Sequence, residues 1–199
     1  MEILNLSPRK LTKSSFFLRK IIEIIKKGGM VVFPTDTIYG LLADATKKET
    51  IEKVFRIKKR IHQKYLPIFV KDLRAAKKIA KISQNEENFL RKVWPGKTTV
   101  VLKRKKGIRL YGISEETIAL RVPKFSPLNY LLRFLDIPLT ATSANISGKV
   151  ASNNIEEILG QFIKEKNKPD IVVNAGKLPE RKPSTIIDLT KRPPKILRM

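Results

Sequence analysis

"MVVFPTDTIYGL", Met30–Leu41, decides how the rest of the chain is read. Two valines and a Phe follow Gly28 and Gly29, which predicts a buried strand entered from a turn. The strand then runs into Pro34, two threonines, an Asp and a Tyr. Such an ending brings polar groups to a sheet edge, where they serve either a solvated turn or a ligand. Pro34 is suited to fix the bend and Gly40 to let the chain turn away. Asp36 reads as an Asx-type turn stabiliser ahead of a base. Tyr39 either lines a pocket or packs beneath one.

Upstream, Ser14 and Ser15 can cap a helix whose Leu18, Ile21, Ile22 and Ile25 fall at helical spacing, with Gly28 and Gly29 ending it. Downstream, a helix is expected over 48–60, then a short strand in "LPIFV". A helix capped by Asp72 covers "DLRAAKKIAKI". The next starts at Ser83 with Glu86 three residues on, the capping-box pattern. "TTVVLKRK" (98–105) and "TIALRVP" (117–123) are strands. Ser126 and Pro127 read as cap and first-turn residue of a helix. "PLTATSA" (138–144) is a strand, "IEEILGQFI" a helix, and "DIVVNAG", "STIIDLT" and "KILR" are closing strands. Interleaved strands and helices predict an α/β fold, a single domain over 1–199. The late strands have no helices between them, so the twisted sheet should be mixed and flanked by helices.

The chain has 199 residues, no cysteine and one histidine, His62. Disulfides, thiolate metal sites, a Cys nucleophile and multi-His metal sites are excluded. Any metal should be a hard cation carried by a phosphate substrate. No run is long and apolar enough for a membrane span, and the N-terminus lacks signal-peptide anatomy, so a cytoplasmic protein without membrane contact is expected. Lys and Arg number 42 against 18 Asp and Glu, a net charge of +24. That excess attracts polyanions, tRNA or double-stranded RNA among them, with compositional drift as the alternative.

Four segments share one property: "PTDTIYG", "ETIALRVP", "TATSANISG" and "KPSTIID" are strand ends or adjoining loops carrying hydroxyls, amides or an Arg. Together they predict a crevice at one end of the sheet. No phosphate loop and no dinucleotide fingerprint is present; "PGKTT" (95–99) has one glycine and precedes a strand. Lys58 and Arg60 sit on different sides of a continuous helix and converge on one anion only if the helix frays near Arg60. Arg121, in an apolar strand, either pairs with a buried acid or receives an anion. Acids are scarce here, which favours the anion.

The order "FPTDTIYGL", "KKR", "VWPGKTTVVL", "TIALRVP", "TATSANISG", "STIIDLT", "KILR" resembles the YrdC-like threonylcarbamoyladenylate synthase family over about 14–198. Both of the family's residue pairs, K-x-R and S-x-N, occur, as Lys58/Arg60 and Ser143/Asn145. The resemblance implies a YrdC-like fold with a concave basic cavity. It implies synthesis of threonylcarbamoyl-AMP from L-threonine, bicarbonate or CO2, and ATP with Mg²⁺, releasing pyrophosphate. Other proteins would transfer the threonylcarbamoyl group to tRNA beside the anticodon. By the same resemblance, Thr35, Arg121 and Ser184 bind threonine. Lys58 and Arg60 are catalytic and face the phosphates. Lys64, Thr117, Ser143, Asn145 and Arg198 join them as ATP-binding residues. No protein metal ligand is implied.

The sequence departs from the family in having Ile61 rather than Pro after K-x-R. Lys64 and Phe69 stand where longer members carry Asn and His, as in the short form without a second domain. His62 reads as a surface residue. A non-catalytic RNA-binding or ribosome-assembly module is the alternative from another class, and a carbamoyl-transfer domain acting on a different amine is a third.

Overall fold

Residues 1–6, 15–61 and 64–199 are described by a computed structural model. In chain order the elements are β1 (Glu2–Asn5), α1 (Ser15–Lys26), β2 (Val31–Phe33), β3 (Gly40–Leu42), α2 (Lys48–Lys58), β4 (Ile68–Phe69), α3 (Leu73–Ile79), β5 (Ala80–Lys81), α4 (Gln84–Val93), β6 (Thr98–Arg104), β7 (Thr117–Arg121), α5 (Ser126–Leu135), β8 (Leu139–Thr140), β9 (Thr142–Ser143), α6 (Ile155–Phe162), β10 (Ile171–Asn174), β11 (Thr185–Asp188) and β12 (Lys195–Arg198). The α/β class and the mixed pairing follow the sequence reading. The strands divide, however, into two sheets.

One sheet has the order β1-β10-β2-β3-β9, parallel as far as β2 and antiparallel beyond it. The other runs β12-β11-β6-β7-β4-β8, with β5 also pairing with β6. "PLTATSA", expected as one strand, is split between them. Thr140 donates from N to Ala43 O and from Oγ1 to Leu41 O, and Ala141 N turns to Pro67 O. Those bonds bend the chain, so β8 stays with β4 while β9 joins β3. The sequence predicts no strand at β3, only Gly40 as a point where the chain turns away. β3 is short and central, and its register against β2 places Gly40 opposite Phe33.

Local rules hold where the partners are local. Ser83 and Glu86 form the expected capping box, and Asp72 accepts from Ala75 N at 2.7 Å. The helix expected to run to Ile82 stops at Ile79, because Ala80 and Lys81 pair with β6. β11 pairs with β6 only as far as Asp188↔Val101, and β5 satisfies the edge beyond. Ser126 is the first residue of α5 rather than its cap; Phe125 holds that position without a side-chain bond. Ser14, nominated with Ser15 as a cap, and His62 lie outside the described residues.

Two clusters bury the apolar faces. Helices α1 and α5 lay Ile21, Ile25, Leu128 and Leu132 against Phe33, Ile171 and Val173 of the first sheet. A larger cluster joins α2, α4 and α6 to both sheets through Val54, Leu90, Ile158, Leu41, Val100 and Leu120. The packed helices leave the strand ends of the opening motif, β7, β9 and β11 around a common cavity.

Candidate active site

The cavity has a volume of about 370 Å³. Arg60, Arg121 and Arg198 line it, and among the described residues no Asp or Glu does. All four nominated segments contribute to its wall, through Thr35, Arg121, Ser143 and Ser184.

The turn after β2 is built by Thr35. Its hydroxyl donates to Ile38 O at 2.6 Å and accepts from Thr37 N at 3.1 Å. Since its one proton is spent, the 3.0 Å contact between the two hydroxyls has Thr37 as donor. Thr35 Oγ1 thus makes one donated and two accepted bonds, the full capacity of a hydroxyl.

Asp36 is not the turn stabiliser that the sequence suggested. Its carboxylate reaches β7, pairing with Arg121 NH2 at 2.6 Å through Oδ1 and accepting from Lys124 N at 2.9 Å through Oδ2. Arg181 NH1 holds the Asp36 carbonyl at 3.0 Å. Gly40 does not turn the chain away but lies within β3. A Cβ there would come within 3.3 Å of Thr35 Cγ2, so glycine permits close approach. Tyr39 is among the residues lining the cavity, and its hydroxyl bridges Gly176 O and Ala175 N at 2.8 and 3.0 Å. Burial pushes that phenol up to about 12.

Arg121 therefore meets both alternatives read from the sequence: it has a buried acid partner and it faces a cavity. Asp36 and Arg121 are each 3% exposed. Nε donates to Gly96 O at 2.9 Å, and the guanidinium stands 5.6 Å from the Phe69 ring centroid. NH1 has only a long 3.4 Å contact with Thr37 Oγ1. Burial pulls the guanidinium below its ordinary pKa, and the Asp36 carboxylate opposes that.

Helix α2 ends at Lys58, and Lys59 takes a left-handed conformation (φ 47°), so Arg60 leaves the helical path. Lys58 is 2% exposed and does not line the cavity. Its Nζ donates to Ser143 O, Asn145 O and Asn145 Oδ1 at 2.6, 2.8 and 3.0 Å. Ser143 Oγ also donates to Asn145 Oδ1, while Asn145 Nδ2 holds Ile146 O and Lys149 O. The K-x-R and S-x-N pairs thus meet, with Lys58 as the internal tie. Arg60 does reach the cavity, braced by Lys64 O and Tyr65 O at 2.7 and 2.8 Å.

The remaining nominees differ in placement. Ser184 and Arg198 line the cavity together; Arg198 donates to Ser184 O and Oγ, and Ser184 Oγ contacts Thr99 Oγ1 at 2.9 Å. Thr117 alternates with Ala119 and Arg121 on β7 but stands beyond the wall, opposite Lys103. The Lys64 side chain is exposed and lies off the wall, and Asn145 stands behind Ser143. Thr37 and Arg181 were missed from the sequence: the first alternates with Thr35, but nothing local to Arg181 marks its reach to Asp36.

Lys58 carries a pH dependence. Burial, with the Arg60 charge adding to it, pushes its amine down to about 7. The unfolded chain keeps that proton to about pH 10.4. Between those values the unfolded state binds more protons, so this residue's contribution to stability rises with pH. Against Lys58→Met, wild type should gain up to about 1 kcal/mol per pH unit across that window in denaturant unfolding. An ammonium has three N–H groups for the three oxygens. A flat difference would mean that they hold the proton against burial.

The Sua5/YciO/YrdC family model, whose description reads "Telomere recombination", matches residues 23–199. A Methanocaldococcus jannaschii protein is 37% identical over 176 residues, covering 86% of this chain and 81% of its own. A Neisseria gonorrhoeae protein named threonylcarbamoyl-AMP synthase is 32% identical over 174 residues, 85% of this chain and 89% of its own. The crystal structure of Pyrococcus abyssi Sua5 complexed with L-threonine superposes with a TM-score of 0.88 at 29% identity. It covers 100% of this chain, which spans 57% of that longer one.

Proposed function

The chain belongs to the Sua5/YciO/YrdC family, and from that membership we propose that it is a threonylcarbamoyl-AMP synthase. Its substrates are L-threonine, bicarbonate or CO2, and ATP. The observation that carries this reading is the cavity itself: three arginines line it and, among the described residues, no carboxylate does. A reaction that gathers an amino-acid carboxylate, a carbamate and a triphosphate needs such an excess of cations to offset their repulsion.

In this reading the threonine carboxylate meets Arg121, whose NH1 has the weakest protein contact of its fork. Ser184 lines the same cavity. Thr35 shapes the turn, because its hydroxyl has no bond to spare. The threonine nitrogen attacks CO2, loses a proton and becomes an N-carboxylate; from bicarbonate, water also departs. A carbamate oxygen then attacks the α-phosphorus of ATP, and the bond to pyrophosphate breaks. Arg60 and Arg198 are the cations for the phosphates, with the Ser143 hydroxyl as an orienting group. Lys58 and Asn145 act through the loop they hold. Thr117 and Lys64 are second-rank ATP contacts, since both stand off the wall. Mg²⁺ enters on the phosphates. Positioning supplies much of the rate, with effective molarity contributing about 7 to 11 kcal/mol in favourable cases.

The same reading makes tRNA the final acceptor and other proteins the intermediaries, and places the chain in the cytoplasm. Among the described residues, no helix is long and apolar enough to cross a membrane. Purified protein with ATP, Mg²⁺ and bicarbonate should release pyrophosphate only when threonine is added. Release that ignores threonine, or none at all, contradicts the proposal. Release driven equally by other amino acids points to a carbamoyl-transfer domain of different amine specificity.

A further inference from the structure

A second cavity, of about 830 Å³, opens where β5 takes over from β11 beside β6. It shares no lining residue with the site cavity. Four cations line it: Lys81, Lys103, Lys191 and Arg192, all exposed. None of these side chains has a hydrogen-bond or ion-pair partner among the described residues. The one acid among the described lining residues, Glu86, turns its carboxylate to Ser83 N and Oγ at 2.6 and 2.7 Å. Lys81 and Lys103 are direct cross-strand partners. Like charges placed opposite one another cost stability. A cluster that keeps this cost and has no internal acid to relieve it is built for an external anion.

The chemistry narrows the anion. Lysine is depleted at protein–protein interfaces, whereas phosphate backbones are met by Lys and Arg. A planar lipid surface does not fill a concave groove. Phe89, partly buried on the wall, offers a ring against which a base can stack. Val101, two residues before Lys103 on β6, lines the site cavity, so the groove opens beside it on the same sheet face.

We propose that this groove binds the phosphodiester backbone of RNA. The choice of RNA over DNA rests on the threonylcarbamoyl-AMP synthase reading; the cation cluster itself does not. The test measures fluorescence anisotropy of a labelled RNA hairpin across a salt series. Wild type is compared with the variant combining Lys81→Ala, Lys103→Ala, Lys191→Ala and Arg192→Ala. A charge-matched control combines Lys26→Ala, Lys27→Ala, Lys48→Ala and Lys53→Ala, on α1, α2 and the turn between β2 and α1. All eight side chains are exposed, and melting temperatures check that each variant folds.

The groove variant should bind RNA at least about tenfold more weakly near 0.1 M salt, with a log–log salt slope shallower by about 3. The control should change less than about threefold, and threonine-dependent pyrophosphate release should persist in both. Equal losses in the two variants, or none in the groove variant, overturn the proposal. Tighter binding to a DNA duplex of equal length, or to phosphatidylserine vesicles in place of RNA, overturns the assignment to RNA. If wild type releases no pyrophosphate but the groove variant alone loses RNA, the synthase reading fails and the groove stands.

Discussion

Arg121→Ala is expected to lower threonine-dependent turnover at least tenfold and to destabilise the fold by about 3 to 5 kcal/mol. The two effects share one cause. Arg121 lines the cavity, leaves NH1 with only a 3.4 Å contact to Thr37 Oγ1 and holds Asp36 with NH2, and both residues of the pair are buried. Removing the guanidinium strands a carboxylate that keeps only the Lys124 N–H. Denaturant unfolding of both single alanine variants and the double variant separates the contributions. The double variant should lose less stability than the two single losses added together, because no unpaired charge remains. Strict additivity would mean that the pair is not coupled. Arg121→Lys keeps the charge but loses the fork, so it should retain stability better than Arg121→Ala while KM for threonine still rises. A rise in KM for ATP alone would remove Arg121 from the threonine side of the cavity.

Lys58→Ala carries the second large effect. It leaves Asn145 O without a donor in a region where water does not readily replace it, while Asn145 Oδ1 keeps the Ser143 hydroxyl and Ser143 O keeps Asn145 N. One unmet buried acceptor costs about 1 to 3 kcal/mol, so a loss in that range is expected. Turnover should fall at least tenfold, with faster amide hydrogen exchange over 143–149. If turnover falls and exchange over that loop stays as in wild type, Lys58 acts directly on substrate rather than through the S-x-N segment.

These two residues also mark what the sequence could and could not disclose. Local signals were legible: the capping box at Ser83, the Asp72 cap and the apolar spacing of α1 depend on neighbours within a few positions. The four segments around the cavity were legible as polar strand ends, and they do meet. The partners inside the cavity were not. Asp36 lies 85 positions from Arg121, and Lys58 lies 87 from Asn145. Which acid reaches which cation depends on β3 and β9 closing the first sheet while β7 belongs to the second. Short strands gave little warning of that division, since β8 and β9 are two residues each and one alternating stretch covers both. Gly40 misled for a related reason: a glycine after a polar turn reads as a bend, yet its role is set by a Thr35 methyl across the hairpin.

The central claim, that this cavity joins threonine, an inorganic carbon unit and the α-phosphate of ATP, is tested most directly by ¹³C-bicarbonate. Wild type supplied with ATP, Mg²⁺, threonine and the label should form threonylcarbamoyl-AMP that carries the heavy carbon, seen by mass spectrometry. The product should vanish when threonine or ATP is left out. Pyrophosphate release without a labelled adenylate, or a labelled product that forms without threonine, would contradict the account.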